Sequence, residues 1–193
     1  DNINLSVGQG DLSATPLQLA VAYAALGNGG DVVRPHLADH AEDAEGQITQ
    51  EIEPAPQRQI EIDPEVRSVI MEGLREAAME PTGTSYPVFG GYPVQIAGKT
   101  GTAEKGLLPD QSWYAALAPA EKPRYVVVTT IENGGFGAET AAPAAITPLM
   151  KSRRDSPRRP RSLMRVMAAL LLAQEVSRGD GRHRQLLPDG LVR

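Results

Sequence analysis

The stretch Ala97-Gly98-Lys99-Thr100-Gly101-Thr102-Ala103-Glu104 decides how the rest of the chain is read. Gly-Lys-Thr occurs in two unrelated settings. In a phosphate-binding loop, a further glycine stands five positions before the Gly of Gly-Lys-Thr. That position is Pro93, and the preceding strand would end in the wrong place, so the phosphate loop is rejected. The other setting is a β-strand, and the surrounding residues favour it. Val94–Thr102 reads as a strand on which Thr100 and Thr102 share one face, two residues apart.

Two further strands follow, Ser112–Ala118 and Arg124–Glu132, the last nearly all apolar from Tyr125 to Ile131. Such a run is expected of a strand buried on both faces. The links are short, through Gly106 and Pro109 and through 119–123, which favours an antiparallel meander. Working backwards, residues 64–80 form a helix capped by Asp63 and opened by Pro64. Its apolar stripe is Val66, Val69, Ile70, Leu74, Ala77 and Ala78. Residues 15–26 form another, with Thr15 as N-cap, Pro16 at the first position, Gln18 closing a capping box, and Gly27 as its stop. Between the helices, 31–62 holds short β-prone pieces that predict a surface hairpin. Ala141–Met150 begins a helix that covers the sheet, and 162–176 predicts a helix in the tail.

Composition sets the outer limits. Of 193 residues, 41% are hydrophobic and only 4% aromatic, so the core leans on Val, Ile, Leu and Ala. Residues 1–150 hold 8 Lys/Arg against 20 Asp/Glu, whereas 151–193 hold 11 against 4. An acidic body argues against nucleic acid as a partner and marks a boundary near 150. The basic, Pro/Arg-rich segment 151–193 reads as a disordered or weakly packed tail. The alternative, that Arg153–Arg165 and the apolar residues after it lie on an anionic membrane, is the lesser reading. No cysteine is present, which removes disulfides, thiol nucleophiles and Cys-ligated zinc. The longest apolar run, Val166–Ala173, is too short to span a bilayer, which needs about 20 residues.

The motifs then fall in a recognisable order. Ser6-Val7-Gly8-Gln9-Gly10, Thr15-Pro16-Leu17-Gln18-Leu19-Ala20, Asn28-Gly29-Gly30 and Gly83-Thr84 come first. Lys99–Glu104, Ser112-Trp113-Tyr114 and Ala141-Ala142-Pro143 follow. Over about residues 1–147 the chain resembles the class B penicillin-binding proteins, in a form closer to the elongation enzymes than to the septal ones. Lys-Thr-Gly is one of three motifs of that superfamily, with S-x-x-K and S-x-N. The resemblance implies an α+β fold of the penicillin-binding and serine β-lactamase type, an antiparallel five-stranded sheet flanked by helices. Residues 1–150 would be the C-terminal portion of the transpeptidase domain and supply the last three strands. The other two would come from earlier sequence, leaving a strand edge unpaired and an apolar face uncovered. Marginal stability and self-association of the piece alone follow.

The activity implied is peptidoglycan D,D-transpeptidation: a serine attacks a D-Ala-D-Ala stem peptide, D-Ala leaves, and an amine of a neighbouring strand takes the acyl group. Such a substrate ends in a carboxylate, which calls for a cation and hydroxyl donors. Lys99 offers the charge, Thr100 and Thr102 the hydroxyls. Simple alternation sends Lys99 to the opposite face unless a twist, or a bulge at Gly101, re-aims it. Gly101 leaves the backbone open to a substrate lying alongside as an added strand. By resemblance, Lys99 faces the catalytic serines and the backbone N–H of Thr102 is one oxyanion-hole donor, so the catalytic pair is Lys99 and Thr102. No serine in the chain has Lys three residues on, and S-x-N is absent. Nucleophile, base and second oxyanion donor are therefore missing, and the chain alone is expected to be inactive.

By resemblance, stem peptides and β-lactams are the ligands and the missing N-terminal half is the partner. The place is the extracytoplasmic face of the bacterial plasma membrane, through an anchor this chain lacks, and no cofactor is implied. A peptide-binding module without catalysis is the first rival and a β-lactamase-like hydrolase the second. His36 and His40, four apart, have no evident third metal ligand, and Asp39–Glu45 reads as a solvated loop.

Overall fold

The computed structural model describes residues 2–6, 8–10 and 12–149, and 165–170 as backbone. A short helix α1 (Asn2–Ser6) leads into a glycine-bearing turn. Helix α2 (Pro16–Asn28) starts where the sequence places it: Thr15 accepts from the Gln18 N–H, and the Gln18 side chain reaches back to the Thr15 N–H. Its stop lies two residues later than expected. Gly27 stays helical and buried, and Gly29, at φ 90°, takes the left-handed cap. The Asn28 carboxamide oxygen accepts from Gly30 and Asp31 and closes the turn. The carbonyls of Leu26 and Gly27 in the last turn are answered by Arg67, whose guanidinium donates to both at 2.7 and 2.6 Å. A cation at a helix C-terminus also suits the helix dipole.

The excursion after α2 is two small ribbons. Strand β1 (Asp31–Val32) pairs with β4 (Arg58–Gln59), and β2 (His40–Glu42) pairs with β3 (Ile48–Glu51), all antiparallel. The run 39–45 is therefore part of a hairpin rather than a plain loop. Its turn is held by the Asp43 carboxylate, which accepts from Glu45 and Gln47.

Helix α3 (Pro64–Met79) has Asp63 as its cap, accepting from Glu65 and Val66. Half of its apolar stripe is left out of the core. Leu74 and Ala78 pack inward, but Val66, Val69 and Ile70 are 55%, 73% and 43% exposed. A one-turn helix α4 (Tyr86–Phe89) then delivers the chain to the sheet.

The sheet is a meander of β5 (Ala97–Lys105), β6 (Leu108–Ala118) and β7 (Tyr125–Ile131), antiparallel as expected. Its residues alternate between two cores. Ile96, Tyr114, Ala116 and Val127 face Phe89, Ala78 and the helical turn α5 (Ala141–Ala144). Ala97, Ala115, Leu117, Val126 and Val128 face Ala20 and Ala24 of α2. Alanine on α2 lets the helix approach the sheet closely, which suits a chain poor in aromatics. The covering helix expected from 141 is interrupted at Ala145 and resumes over 146–149.

The tail departs from expectation. Residues 165–170, read as part of a helix, form strand β8 (Arg165–Leu170), which pairs with β7 in parallel from Tyr125↔Arg165 to Thr130↔Leu170. The edge of β7 away from β6 is thereby filled. The rest of 150–193 lies outside the described residues. Among the described residues, no helix is long and apolar enough to cross a membrane.

Candidate functional site

With β8 on the far side, the sheet order is β5-β6-β7-β8, so β5 has a strand neighbour on one side only. Lys99, Thr100, Gly101 and Thr102 lie on that outer strand. The pairing with β6 runs unbroken from Ala97↔Leu117 to Ala103↔Gln111, and the register shifts only between Ala103 and Lys105. There is thus no bulge at Gly101. Lys99 keeps the face of Ala97 and Ala115, while Thr100 and Thr102 keep the face of Tyr114.

The strand edge joins these two faces. The Thr102 carbonyl accepts from the Gln9 side chain at 3.2 Å, a contact made from outside the sheet. Within a strand, the N–H and C=O of one residue leave on the same side. The Thr102 N–H therefore also points outward, away from β6. Two residues back, the Thr100 carbonyl is met by the Lys99 ammonium at 2.8 Å. Lys99 is exposed and reaches round to the edge through its flexible stem. A cation, two hydroxyls and an outward N–H thus flank one stretch of open strand edge.

Three contacts that local reading does not anticipate fix this stretch. Gly8 and Gly10 adopt φ of 78° and 95°, and the Gly8 and Gln9 N–H groups bond Leu5 and Asn4, so the turn after α1 brings Gln9 to Thr102. Gly137 donates to the Thr102 hydroxyl at 3.4 Å. A Cβ at Gly137 would sit 2.5 Å from the carbonyl oxygens of Gly101 and Trp113, so only glycine lets this loop lie on the strand. The loop is tied down by Thr140, whose hydroxyl lies 2.7 Å from that of Ser112 and 2.9 Å from the Gly134 carbonyl oxygen. Thr84 meets Thr100, hydroxyl to hydroxyl, at 3.0 Å. The signals in the sequence were the Ser6–Gly10 stretch that holds Gln9, the Gly83-Thr84 pair, and a density of glycine after an apolar strand (Gly134, Gly135, Gly137).

Beneath the strand, Gly98 makes room for Tyr114. The phenol is buried, stacks on Phe89 with centroids 5.2 Å apart, and lies 3.3 Å from the Ser85 hydroxyl. Burial pushes the Tyr114 phenol well above its usual range, against a smaller lowering by Ser85. Trp113 is half-buried on the α2 face, and Glu104 is exposed. The histidines are elsewhere: His40 lies between the Asp39 and Glu42 carboxylates, and His36 rests on the Arg34 carbonyl. Among the described residues, no group of three or more His, Cys, Asp or Glu is arranged to hold a metal ion.

Comparison with known proteins bears on the whole region. The family described as penicillin binding protein transpeptidase domain matches residues 2–151. The chain is 33% identical over 148 residues to the peptidoglycan D,D-transpeptidase PbpA of Mycolicibacterium smegmatis, covering 75% of this chain and 29% of that one. It is 30% identical over 158 residues to the peptidoglycan D,D-transpeptidase MrdA of Salmonella typhimurium, covering 74% and 25%. Among solved structures it is similar to PBP2 of Pseudomonas aeruginosa in complex with WCK 5153. That match has a TM-score of 0.62 at 33% identity and covers 77% of this chain and 32% of that one. It is also similar to penicillin-binding protein A of M. tuberculosis as its imipenem acyl-enzyme complex, with a TM-score of 0.59 at 32% identity, covering 76% and 33%. The chain spans about a quarter to a third of the length of these relatives.

Proposed function

The chain belongs to the transpeptidase-domain family of the class B penicillin-binding proteins, and from that premise we propose that it carries the carboxylate-gripping wall of a peptidoglycan D,D-transpeptidase. The observation that supports this most is the open edge of β5, with Lys99, Thr100 and Thr102 along it. A stem peptide ending in D-Ala-D-Ala adds there as an extended strand, its backbone on the outward groups of Thr100 and Thr102. Its terminal carboxylate meets the Lys99 ammonium and the two threonine hydroxyls, bonds roughly twice as strong as neutral ones.

A serine then attacks the penultimate carbonyl, and the oxygen that becomes negative lies against the outward N–H of Thr102. Loss of one such donor raises the barrier by about 2.7–4 kcal/mol. D-Ala leaves with the proton taken from the serine, and an acceptor amine resolves the acyl-enzyme. The 193 residues contain no S-x-x-K, so the serine and its base come from outside this sequence. The chain is inactive by itself in this reading, and it acts on the outer face of the bacterial plasma membrane. β-Lactams, which present the same carboxylate beside a reactive amide, occupy the same edge.

Fluorescent penicillin tests this. The 193-residue chain takes up no covalent label alone, and label appears when a segment carrying S-x-x-K and S-x-N is supplied. Lys99→Ala in that reconstituted form abolishes most of it. Label on the isolated chain, or undiminished label with Lys99→Ala, refutes the reading. The absence of S-x-x-K also favours a second reading, a peptide-binding module without acylation, which predicts binding of stem peptide and no label even after reconstitution.

A further inference from the structure

Resting on that reading of the β5 edge, we propose that Thr84 is a positioning residue whose hydroxyl donates a hydrogen bond to Thr100 and so aims the Thr100 proton at the substrate carboxylate. Thr84 Oγ1 and Thr100 Oγ1 are 3.0 Å apart, within hydrogen-bond range, and either can donate. Each hydroxyl has one proton. If Thr100 donates to Thr84, no Thr100 proton is left for an anion beside it. If Thr84 donates to Thr100, the Thr100 proton is free and points to the remaining partner. An arriving carboxylate accepts only, so it selects the second arrangement. The chain Thr84→Thr100→carboxylate is then polarised in one direction, and bonds in such chains strengthen one another.

Thr84 does not reach Thr100 by chance of an exposed rotamer. The residue after it, Ser85, is fully buried and bonded twice to the Ala77 carbonyl, from its N–H at 3.0 Å and its hydroxyl at 3.1 Å. The residue before it, Gly83, donates to Glu80, and a Cβ there would lie 2.5 Å from the carbonyl oxygens of Glu76 and Ala77. The turn that ends α3 is thus clamped on both sides of Thr84. On the sheet, Thr100 stands opposite Tyr114 in register, and Tyr114 is itself bonded to Ser85. Helix end and strand are tied at two places, through hydroxyls at the surface and through the phenol beneath. Thr84 itself is exposed, so its side chain supports no core, and what it adds is the hydroxyl.

The test is binding selectivity, which a merely structural role would not change. The 193-residue chain is titrated with an N-acylated D-Ala-D-Ala dipeptide and with its C-terminal carboxamide. The backbone amide resonances of Thr100, Gly101 and Thr102 report the apparent Kd. The parent chain is expected to prefer the acid by about tenfold, as a bond to a charged group implies. Thr84→Val keeps the shape without the hydroxyl and is expected to reduce the preference to about twofold or less. Thr84→Ser keeps the hydroxyl and is expected to retain it.

Loss in both variants, or retention in Thr84→Val, overturns the role of Thr84 and leaves the reading of the edge standing. A parent chain that binds acid and amide alike overturns that reading too. Thr84→Ala, read the same way, guards against a packing effect of the valine methyls, because it must lose the preference as well.

Discussion

Gly98 is the residue whose replacement should report most directly on how the sheet and α3 are joined. An added Cβ would lie 2.2 Å from Tyr114 Oη, 2.8 Å from its Cζ and 3.2 Å from the Ala115 carbonyl oxygen. To restore an ordinary contact, the phenol oxygen must withdraw by about 1 Å, because heavy atoms resist closer approach. The ring cannot swing out freely, being buried and stacked on Phe89. Overpacking of this kind costs about 1–3 kcal/mol, and losing the Ser85 bond adds about 1 kcal/mol. Gly98→Ala should therefore destabilise by about 2–4 kcal/mol, although Gly→Ala within a strand is ordinarily favourable by about 0.5–1 kcal/mol.

Tyr114→Phe alone should cost about 1 kcal/mol, since only the bond to Ser85 goes and Ser85 keeps Ala77. In the double variant the oxygen at 2.2 Å is gone and only the Cζ contact remains. The pair should then cost about 1–2 kcal/mol less than the sum of the singles, the signature of residues in direct contact. Urea unfolding followed by the fluorescence of Trp113, the single tryptophan, measures all four corners. Additivity within about 0.5 kcal/mol would refute the contact. So would a Gly98→Ala chain as stable as its parent.

Two further outcomes are expected. Thr129 on β7 is fully buried, and its hydroxyl has no hydrogen-bond partner. Thr129→Val removes that orphan at nearly constant volume and should stabilise by about 1–2 kcal/mol in the same urea assay, with unchanged stability counting against the burial described. Burial also raises the phenol pKa values of Tyr114 and Tyr23 from 10.0. The folded state then holds these protons to higher pH than the unfolded chain. Their contribution is fully present below pH 10 and is lost as pH rises towards the folded values, by up to about 1.4 kcal/mol per pH unit and group. Melting at pH 9 and pH 11 should show a steeper alkaline loss in the parent chain than in Tyr114→Phe. Equal losses would mean that the phenol titrates as if exposed.

What the sequence made legible was local. Thr15, Gln18, Asp63 and the prolines after them specify helix starts through bonds spanning two to four residues, and both helices start there. The nearly all apolar run of β7 specifies burial on two faces, and both faces are covered. Periodicity on α3 specified a face that prefers burial without saying what covers it, and Val66, Val69 and Ile70 remain exposed. The run from Val166 is apolar without being amphipathic, so helix and strand competed evenly there. Pairing with β7, a tertiary event, decided for strand. At the site, Lys99, Thr100 and Thr102 were given roles from a motif, whereas Gln9 and Thr84 stood in motifs without a role and Gly137 stood in none. Their contacts join residues 93, 16 and 35 positions apart, and no local pattern encodes such distances.

Strand β8 has an effect beyond extending the sheet. It adds a strand beside β7 and leaves the β5 margin bare, where a foreign polypeptide can join, and bare strand margins recruit unfolded neighbours as readily as ligands. That margin is blunted from within: the ammonium of Lys99 and the carboxamide of Gln9 already answer the Thr100 and Thr102 carbonyls. A stray segment must displace both, at about 1 kcal/mol each, and strip water from a fixed cation without neutralising it. In the proposed function, a chain that arrives with its own terminal anion returns a counter-ion to that cation, so the feature that discourages indiscriminate pairing would be the one that admits the right guest.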